Sequence, residues 1–320
     1  MSGPLEDNAA RRAGGAHNSR VRRASRPSRP RPLAVPLADG PVHYLDFGGS
    51  GPDIVLVHGL GGSHANWLAV AQDLTEHGHV VALDLAGHGR TQSSGRGASI
   101  GANRRLLGRF LDEVAHGRAV LVGNSMGGYL ALAEAAAEPA KVSSLVLVGP
   151  AVPIARGGGF DARVTAMFAA MSIPFLGELA LHLRSRSPER AVQDLLALCC
   201  VDPSLIPDHV REAHVALARE RASYGSVAAR DFLAAQRSLV ARLLQPRRFF
   251  RMVASIRCPA LIVQGERDRL VRLASARALA AARPDWQLEV FPGVGHVPQL
   301  EAAARFVETV GAWLQRQPNA

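Results

Sequence analysis

The sequence predicts an α/β protein: a mostly parallel, doubly wound sheet with a helical segment inserted into it. Three observations carry the expectation. Short apolar, β-branched runs recur along the chain and stop at glycine or a polar residue, as strands covered on both faces do. Helical stretches separate them, and alternating strands and helices imply parallel order. Roughly ninety residues after position 151 break the alternation with helix-like stretches and no convincing strand.

The elements follow in order. Asp39-Gly40 is a hairpin turn signal, and residues Val42–Phe47 behind it alternate as a strand does. Ile54–Val57 is a continuous apolar run ending at His58-Gly59, and His79–Leu83 another ending at Asp84. Ala119–Val122 ends at Gly123 and Leu145–Val148 at Gly149-Pro150, while Leu261–Val263 and Leu288–Phe291 complete the series. Helices are expected over Met126–Glu138, which stops before Pro139, and over Ala274–Ala282 and Ala303–Gln315. The insert reads as helical over Phe160–Met171, Phe175–Leu183, Glu189–Cys200 and Ser226–Leu244. The organisation is therefore a tail over 1–32, a core over 33–151 and 244–320, and a helical cap over 152–243.

At 320 residues, 48% hydrophobic and 20% charged, the chain can bury a large core. No apolar run reaches the roughly 18–20 residues that span a bilayer, so no stable membrane insertion is expected. The net charge of +10 would suggest nucleic acid until it is located. Residues 1–32 hold eight arginines against Glu6 and Asp7, a surplus of +6, in a Gly/Pro/Ser-rich stretch that cannot form a core. Lys141 is the sole lysine, so the arginine excess runs through the whole chain rather than marking one phosphate-binding patch. The tail is read as disordered and solvated, with no nucleic-acid partner. Arg22-Arg23 leads into polar residues rather than an apolar stretch, which argues against an export signal and makes the cytoplasm the default compartment. Cys199, Cys200 and Cys258 form no CxxC pair and read as packing residues rather than a disulfide framework or zinc site.

Chemistry gathers at the carboxyl ends of the expected strands, where parallel sheets place their ligands. Gly123-Asn124-Ser125-Met126-Gly127-Gly128 sets a serine between a strand and a helix inside Gly-x-Ser-x-Gly. Such a serine must stand on a sharp turn, and side chains at Gly123 and Gly127 would collide with the neighbouring strand and helix. A serine hydroxyl needs a base, and the base an orienting acid. His296, in a turn-rich stretch after the last strand, is the candidate base, and Asp268, after the preceding strand, the candidate acid. Glu266, two residues away, competes with it. The amides of Met126 and Leu60 are the expected oxyanion donors, Leu60 within the glycine-rich His58–Gly62 loop. Trp67 reads as a buried anchor and residues 84–89 as a loop shaping the cleft floor. His58 is more readily a structural loop residue than a catalyst, but with Met167, Phe168, Met171 and Phe175 it is also a candidate for the substrate pocket. No ligand cluster or phosphate loop calls for a metal or cofactor.

From about residue 33 onward the chain resembles the capped α/β-hydrolases of the esterase and lipase kind. His58-Gly59-x-Gly61-Gly62, Asp84-x-x-Gly87-x-Gly89, the Ser125 hexapeptide, Gly265-x-x-Asp268 and Gly295-His296 fall in that family's order. The resemblance implies the α/β-hydrolase fold and a Ser-His-Asp hydrolase. Serine at 125 departs from the aspartate nucleophile of epoxide hydrolases and haloalkane dehalogenases. The hexapeptide is also similar to carbon–carbon hydrolases of ring-fission products. Those enzymes carry Gly-Pro-Gly after the His-Gly and tryptophan after the histidine, where this chain has Leu60-Gly61-Gly62-Ser63 and Val297.

The leading expectation is hydrolysis of a small apolar acyl ester, such as a monoacylglycerol, through an acyl-enzyme on Ser125. The alternative on the same fold is carbon–carbon hydrolysis of a ring-fission product. A reading of another class is a binding or receptor protein with slow turnover, which a missing triad member would have favoured; all three members are present.

Overall fold

The computed structural model describes residues 1, 30–93, 95–153, 162–173 and 175–317. The expectations for residues 2–29, which make up most of the tail, lie outside the described residues.

β1 (Arg31–Leu37) and β2 (Gly40–Gly48) form the hairpin that Asp39-Gly40 announces. β1 begins two residues inside the stretch read as tail. Its Pro32 and Pro36 lack ladder donors, which an edge strand tolerates. The chain continues through β3 (Asp53–Val57), the short α1 (Ala71–Leu74), β4 (His79–Leu83), α2 (Ile100–Val114), β5 (Ala119–Asn124), α3 (Met126–Ala137) and β6 (Val142–Val148). Among the described residues of the insertion that follows, the α-helices are α4 (Ala162–Ser172), α5 (Leu176–Ser185), α6 (Pro188–Cys199), α7 (Asp208–Ala222), α8 (Ser226–Leu243) and α9 (Pro246–Ser255). The chain then returns to the sheet through β7 (Ala260–Gly265), α10 (Leu273–Ala282), β8 (Gln287–Phe291), the one-turn α11 (Pro298–Glu301) and α12 (Ala303–Leu314).

All eight strands lie in one sheet, ordered β1-β2-β4-β3-β5-β6-β7-β8. The six strands from β4 to β8 run parallel, and β2 joins β4 antiparallel. β3, β5, β6 and β7 are buried along their whole length, which is why they read as unbroken apolar runs. Their side chains feed two cores. Val55, Leu121, Leu147 and Ile262 pack under α2, α3 and α9, and Ile54, Val122, Val146 and Val263 pack against Trp67, Phe306 and Trp313. Trp67 is fully buried beside Phe306, as an anchor should be.

The strand order dictates where a ligand can sit. After β3 the chain steps to β4 on one side, then returns to lay β5 on the other. That reversal opens a crevice at the carboxyl ends of β3 and β5, where Gly59 and Ser125 stand. Of the insertion, α9 buries Phe249 and Val253 in the main core beside α3. The earlier helices have a small core of their own, Val192, Leu196, Ile206 and Val210, which is joined by Val297 and Leu300 from the body. No helix among the described residues is long and apolar enough to cross a membrane.

Candidate active site

Ser125 stands where β5 turns into α3, at φ 53° and ψ −114°. This left-handed backbone is uncommon for a residue with a side chain and costs about 1–3 kcal/mol. The surroundings enforce it: Ser125 N donates to Val148 O at 2.9 Å, while its carbonyl accepts from Ala151 N at 2.9 Å and Tyr129 N at 3.1 Å. The flanking glycines are sterically required. A Cβ at Gly123 would lie 2.5 Å from Gly127 O, and one at Gly127 only 2.1 Å from Val57 O. The collision partners are thus the helix start and the neighbouring strand, as the pentapeptide implies.

His296 follows β8 and Asp268 follows β7, and the fold brings the two together. His296 Nδ1 donates to Asp268 Oδ2 at 2.8 Å, with both side chains buried. Asp268 is itself held on every side: Leu270 N and Val271 N each donate to Oδ1 at 2.8 Å, and Gln264 Nε2 to Oδ2 at 2.9 Å. A proton fixed on Nδ1 leaves Nε2 as the acceptor that a serine hydroxyl needs. Glu266 accepts from Gly293 N at the exposed surface instead. The bond to His296 is made by Asp268, not by its competitor.

Ser125 and His296 line one large cavity of about 1330 Å³ between the sheet's carboxyl edge and the inserted helices. Leu60 lines it too. Met126 supplies the first amide of α3, which has no partner within its own helix. Of the expected pocket residues, Phe168 and Met171 line the cavity, while the side chain of Met167 lies outside the described residues. Two expectations are corrected. His58 does not line the cavity: its ring is fully buried, with Nδ1 donating to Gly59 O at 2.8 Å and Nε2 accepting from Leu85 N at 3.0 Å. Burial pushes it down to about 4, so it is a neutral strut between two loops. Phe175 does not line it either. It occupies a left-handed turn at φ 66° between α4 and α5, which throws the ring into solvent at 87% exposure.

The structure adds residues that the sequence did not single out. Asn124 Nδ2 donates to Val148 O at 3.0 Å and to His296 O at 3.2 Å, tying the serine turn to the histidine loop. Glu301 makes a second tie: its carboxylate accepts from Val201 N and Asp202 N at 2.8 Å and from Gly295 N at 2.7 Å. It thereby fastens the end of α6 to the residue before His296, and His296 N donates to Cys199 O beside it at 2.6 Å. Arg221 of α7 lines the cavity half-buried, donating to Gly89 O at 3.3 Å, with no carboxylate paired to it among the described residues. Burial pushes its pKa down despite the pull of Asp231. The three thiols are free, and burial raises all of them, Cys258 to about 11, so none is a thiolate nucleophile.

Comparison with known proteins places this geometry in a family. Residues 54–309 match the model of the Alpha/beta hydrolase family. A 2-hydroxy-6-oxo-2,4-heptadienoate hydrolase of Pseudomonas putida is 32% identical over 284 residues, 87% of this chain and 94% of the relative. A 2-hydroxy-6-oxononadienedioate/2-hydroxy-6-oxononatrienedioate hydrolase of Burkholderia vietnamiensis is 30% identical over 281 residues, 86% of this chain and 91% of that one. Among solved structures, a membrane phospholipase A described as a bacterial virulence factor superposes with a TM-score of 0.69 at 26% identity, covering 91% of this chain and 87% of its own. The match to the family model covers most of the chain, and the matches to both curated relatives span nearly their whole length. This chain belongs to the alpha/beta hydrolase family and is a hydrolase.

Proposed function

We propose that the chain is a Ser-His-Asp hydrolase that cleaves a carbon–carbon bond beside a ketone in an apolar, carboxylate-bearing substrate. The single observation that carries the substrate class is Arg221, a half-buried guanidinium in the wall of a largely apolar cavity that makes no direct ion pair among the described residues. Its guanidinium loses hydration at the apolar wall, and a substrate carboxylate supplies the direct ion pair that it lacks there. The names of the two curated relatives, both hydrolases of oxo-dienoates, support the same class.

In this reading Ser125 Oγ attacks the ketone carbon while His296 Nε2 takes its proton. The amides of Leu60 and Met126 hold the resulting oxyanion. Collapse expels the dienolate carbon, which His296 protonates, and leaves an acyl-enzyme on Ser125. Water, deprotonated by the same histidine, releases the acid. Asp268 stabilises the imidazolium in both halves. The helices α4–α8 act as a cap that closes over the substrate and sets its length.

The second reading, hydrolysis of an apolar acyl ester, has its own support. The cavity of about 1330 Å³ is larger than most small-molecule pockets and has room for a long acyl chain, and the likeness to a phospholipase points the same way.

One comparison separates them: kcat/KM for a 2-hydroxy-6-oxo-dienoate beside p-nitrophenyl butyrate and laurate, in wild type and Arg221→Met. The proposal expects the dienoate to be preferred. Its KM should rise about 10- to 100-fold in the variant, the worth of a hydrogen bond to a charged group, with ester kinetics unchanged. Preference for laurate, together with an indifferent Arg221→Met, would establish the ester reading.

A further inference from the structure

The opposite end of the sheet carries chemistry that hydrolysis does not use. Asp53 opens β3 and His79 opens β4, and the two are register partners on adjacent parallel strands. His116 stands in the turn that leads into β5, on the other side of β3. Neighbouring strand starts thus gather one carboxylate and two imidazoles at a single edge. Asp53 Oδ1 lies 2.7 Å from His79 Nδ1, and Asp53 Oδ2 lies 3.6 Å from His116 Nδ1. One ligand atom from each residue lies within 4.8 Å of the other two. Asp53 is buried, His79 half-buried and the His116 ring 86% exposed, so the group opens to water on one side only.

A second, independent observation gives the cluster its direction. On the far side of the His79 ring, Asp46 of β2 places Oδ1 3.2 Å from Nε2. An imidazole that donates its Nε2 proton to a carboxylate presents the lone pair of Nδ1, and histidine ligands of metals are oriented in this way. Asp46 is fixed in turn by Gly48 N, which donates to it at 2.7 Å, and by Arg31. His116 N donates to Asp53 Oδ2 at 2.7 Å, so the loop that carries the third ligand is anchored too.

We propose that Asp53, His79 and His116 form a binding site for a divalent late first-row metal ion, zinc above all, with Asp46 as the residue that orients His79. Ligand bonds of about 2.0–2.2 Å require the three donor atoms to stand about 3.4 Å apart. The cluster reaches that spacing when the exposed His116 ring swings inward and Asp53 gives up its direct bond to His79. Nδ1 releases its proton to solvent as the ion binds, Nε2 keeps the proton that it donates to Asp46, and water completes a tetrahedron. Two imidazoles with one carboxylate suit zinc, nickel or copper and not calcium or magnesium, which take oxygen ligands. The ion would tie the amino ends of β3 and β4 to the turn before β5, far from Ser125, as a structural staple.

The test is isothermal titration of the full chain with zinc chloride after dialysis against chelator, followed by thermal unfolding with and without zinc. His116→Ala is the decisive variant, because its ring is exposed and its removal leaves the fold intact; His209→Ala, at an exposed position of α7, is the control. The proposal expects one saturable site, a zinc-dependent rise in Tm, and at least about tenfold weaker binding in both His116→Ala and Asp46→Asn, with His209→Ala unchanged. Absence of saturable zinc binding, or wild-type affinity in His116→Ala, would overturn it.

Discussion

Glu301→Gln probes how the inserted helices are coupled to the histidine that the chemistry needs. Glu301 Oε1 accepts from Val201 N and Asp202 N, both at 2.8 Å, and Oε2 accepts from Gly295 N at 2.7 Å. Glutamine has one acceptor oxygen. If it keeps the pair from the α6 end, its NH2 group faces Gly295 N–H, and a buried donor is left without an acceptor. A lost bond to a charged acceptor and a stranded amide together cost about 1.5–3 kcal/mol. For a large domain each kcal/mol lowers Tm by about 2–4 °C, so a fall of about 3–12 °C is expected by calorimetry. Because His296 follows Gly295 directly, kcat for a p-nitrophenyl ester should fall as well, with KM nearly constant. Glu308→Gln, on the exposed face of α12, serves as the control. A Glu301→Gln protein with wild-type Tm and kcat would refute the reasoning, since the geometry allows glutamine no equivalent arrangement.

Three further outcomes follow from the same contacts. Asp268→Asn should lower kcat by about 10⁴-fold, as loss of the orienting carboxylate does in such triads, whereas Glu266→Gln, exposed on Gly293, should leave turnover intact; the reverse pattern would reassign the acid. Stability should depend on pH through His58, which burial pushes down to about 4 in the folded chain and which unfolding returns to about 6.5. The unfolded chain then binds a proton that the folded one refuses, so stability rises with pH between about 4 and 6.5 and is lost as pH falls through that window, by up to about 3 kcal/mol. A urea midpoint that stays flat from pH 7 to pH 4.5 would contradict this. Finally, Gly89→Ala should destabilise by about 3 kcal/mol or more, because Gly89 sits at φ +48° and its Cβ would lie 2.1 Å from Asp84 Cγ; denaturant unfolding of the variant measures it.

The sequence made most of the sheet legible because its central strands are buried on both faces, so each appears as an unbroken apolar run. The Ser125 turn was legible for a related reason: its glycines answer to fixed backbone collisions, and those leave a mark in the sequence. Asp268 and His296 could be paired from their order at two strand ends. What escaped depends on side-chain direction. His58 adjoins the glycine loop, yet its ring folds back beneath Leu85, and Phe175 shares the spacing of Phe168 and Met171 until the left-handed turn ejects it. α2 was hidden by glycines that break its apolar pattern, one of which is dictated from outside the helix: a Cβ at Gly108 would lie 2.6 Å from Glu134 Oε1. Arg221 was lost among arginines, since only its burial at the cavity wall separates it from the rest. Glu301 had no local signal at all, because its three partners lie on two other segments.

Ser125 as the nucleophile is the centre of the proposed mechanism, and active-site labelling tests it most directly. A fluorophosphonate probe should modify the wild-type chain covalently at Ser125, and Ser125→Ala, folded to the same Tm, should take up no label and lose nearly all hydrolysis. Equal labelling of wild type and Ser125→Ala would contradict the account at its centre.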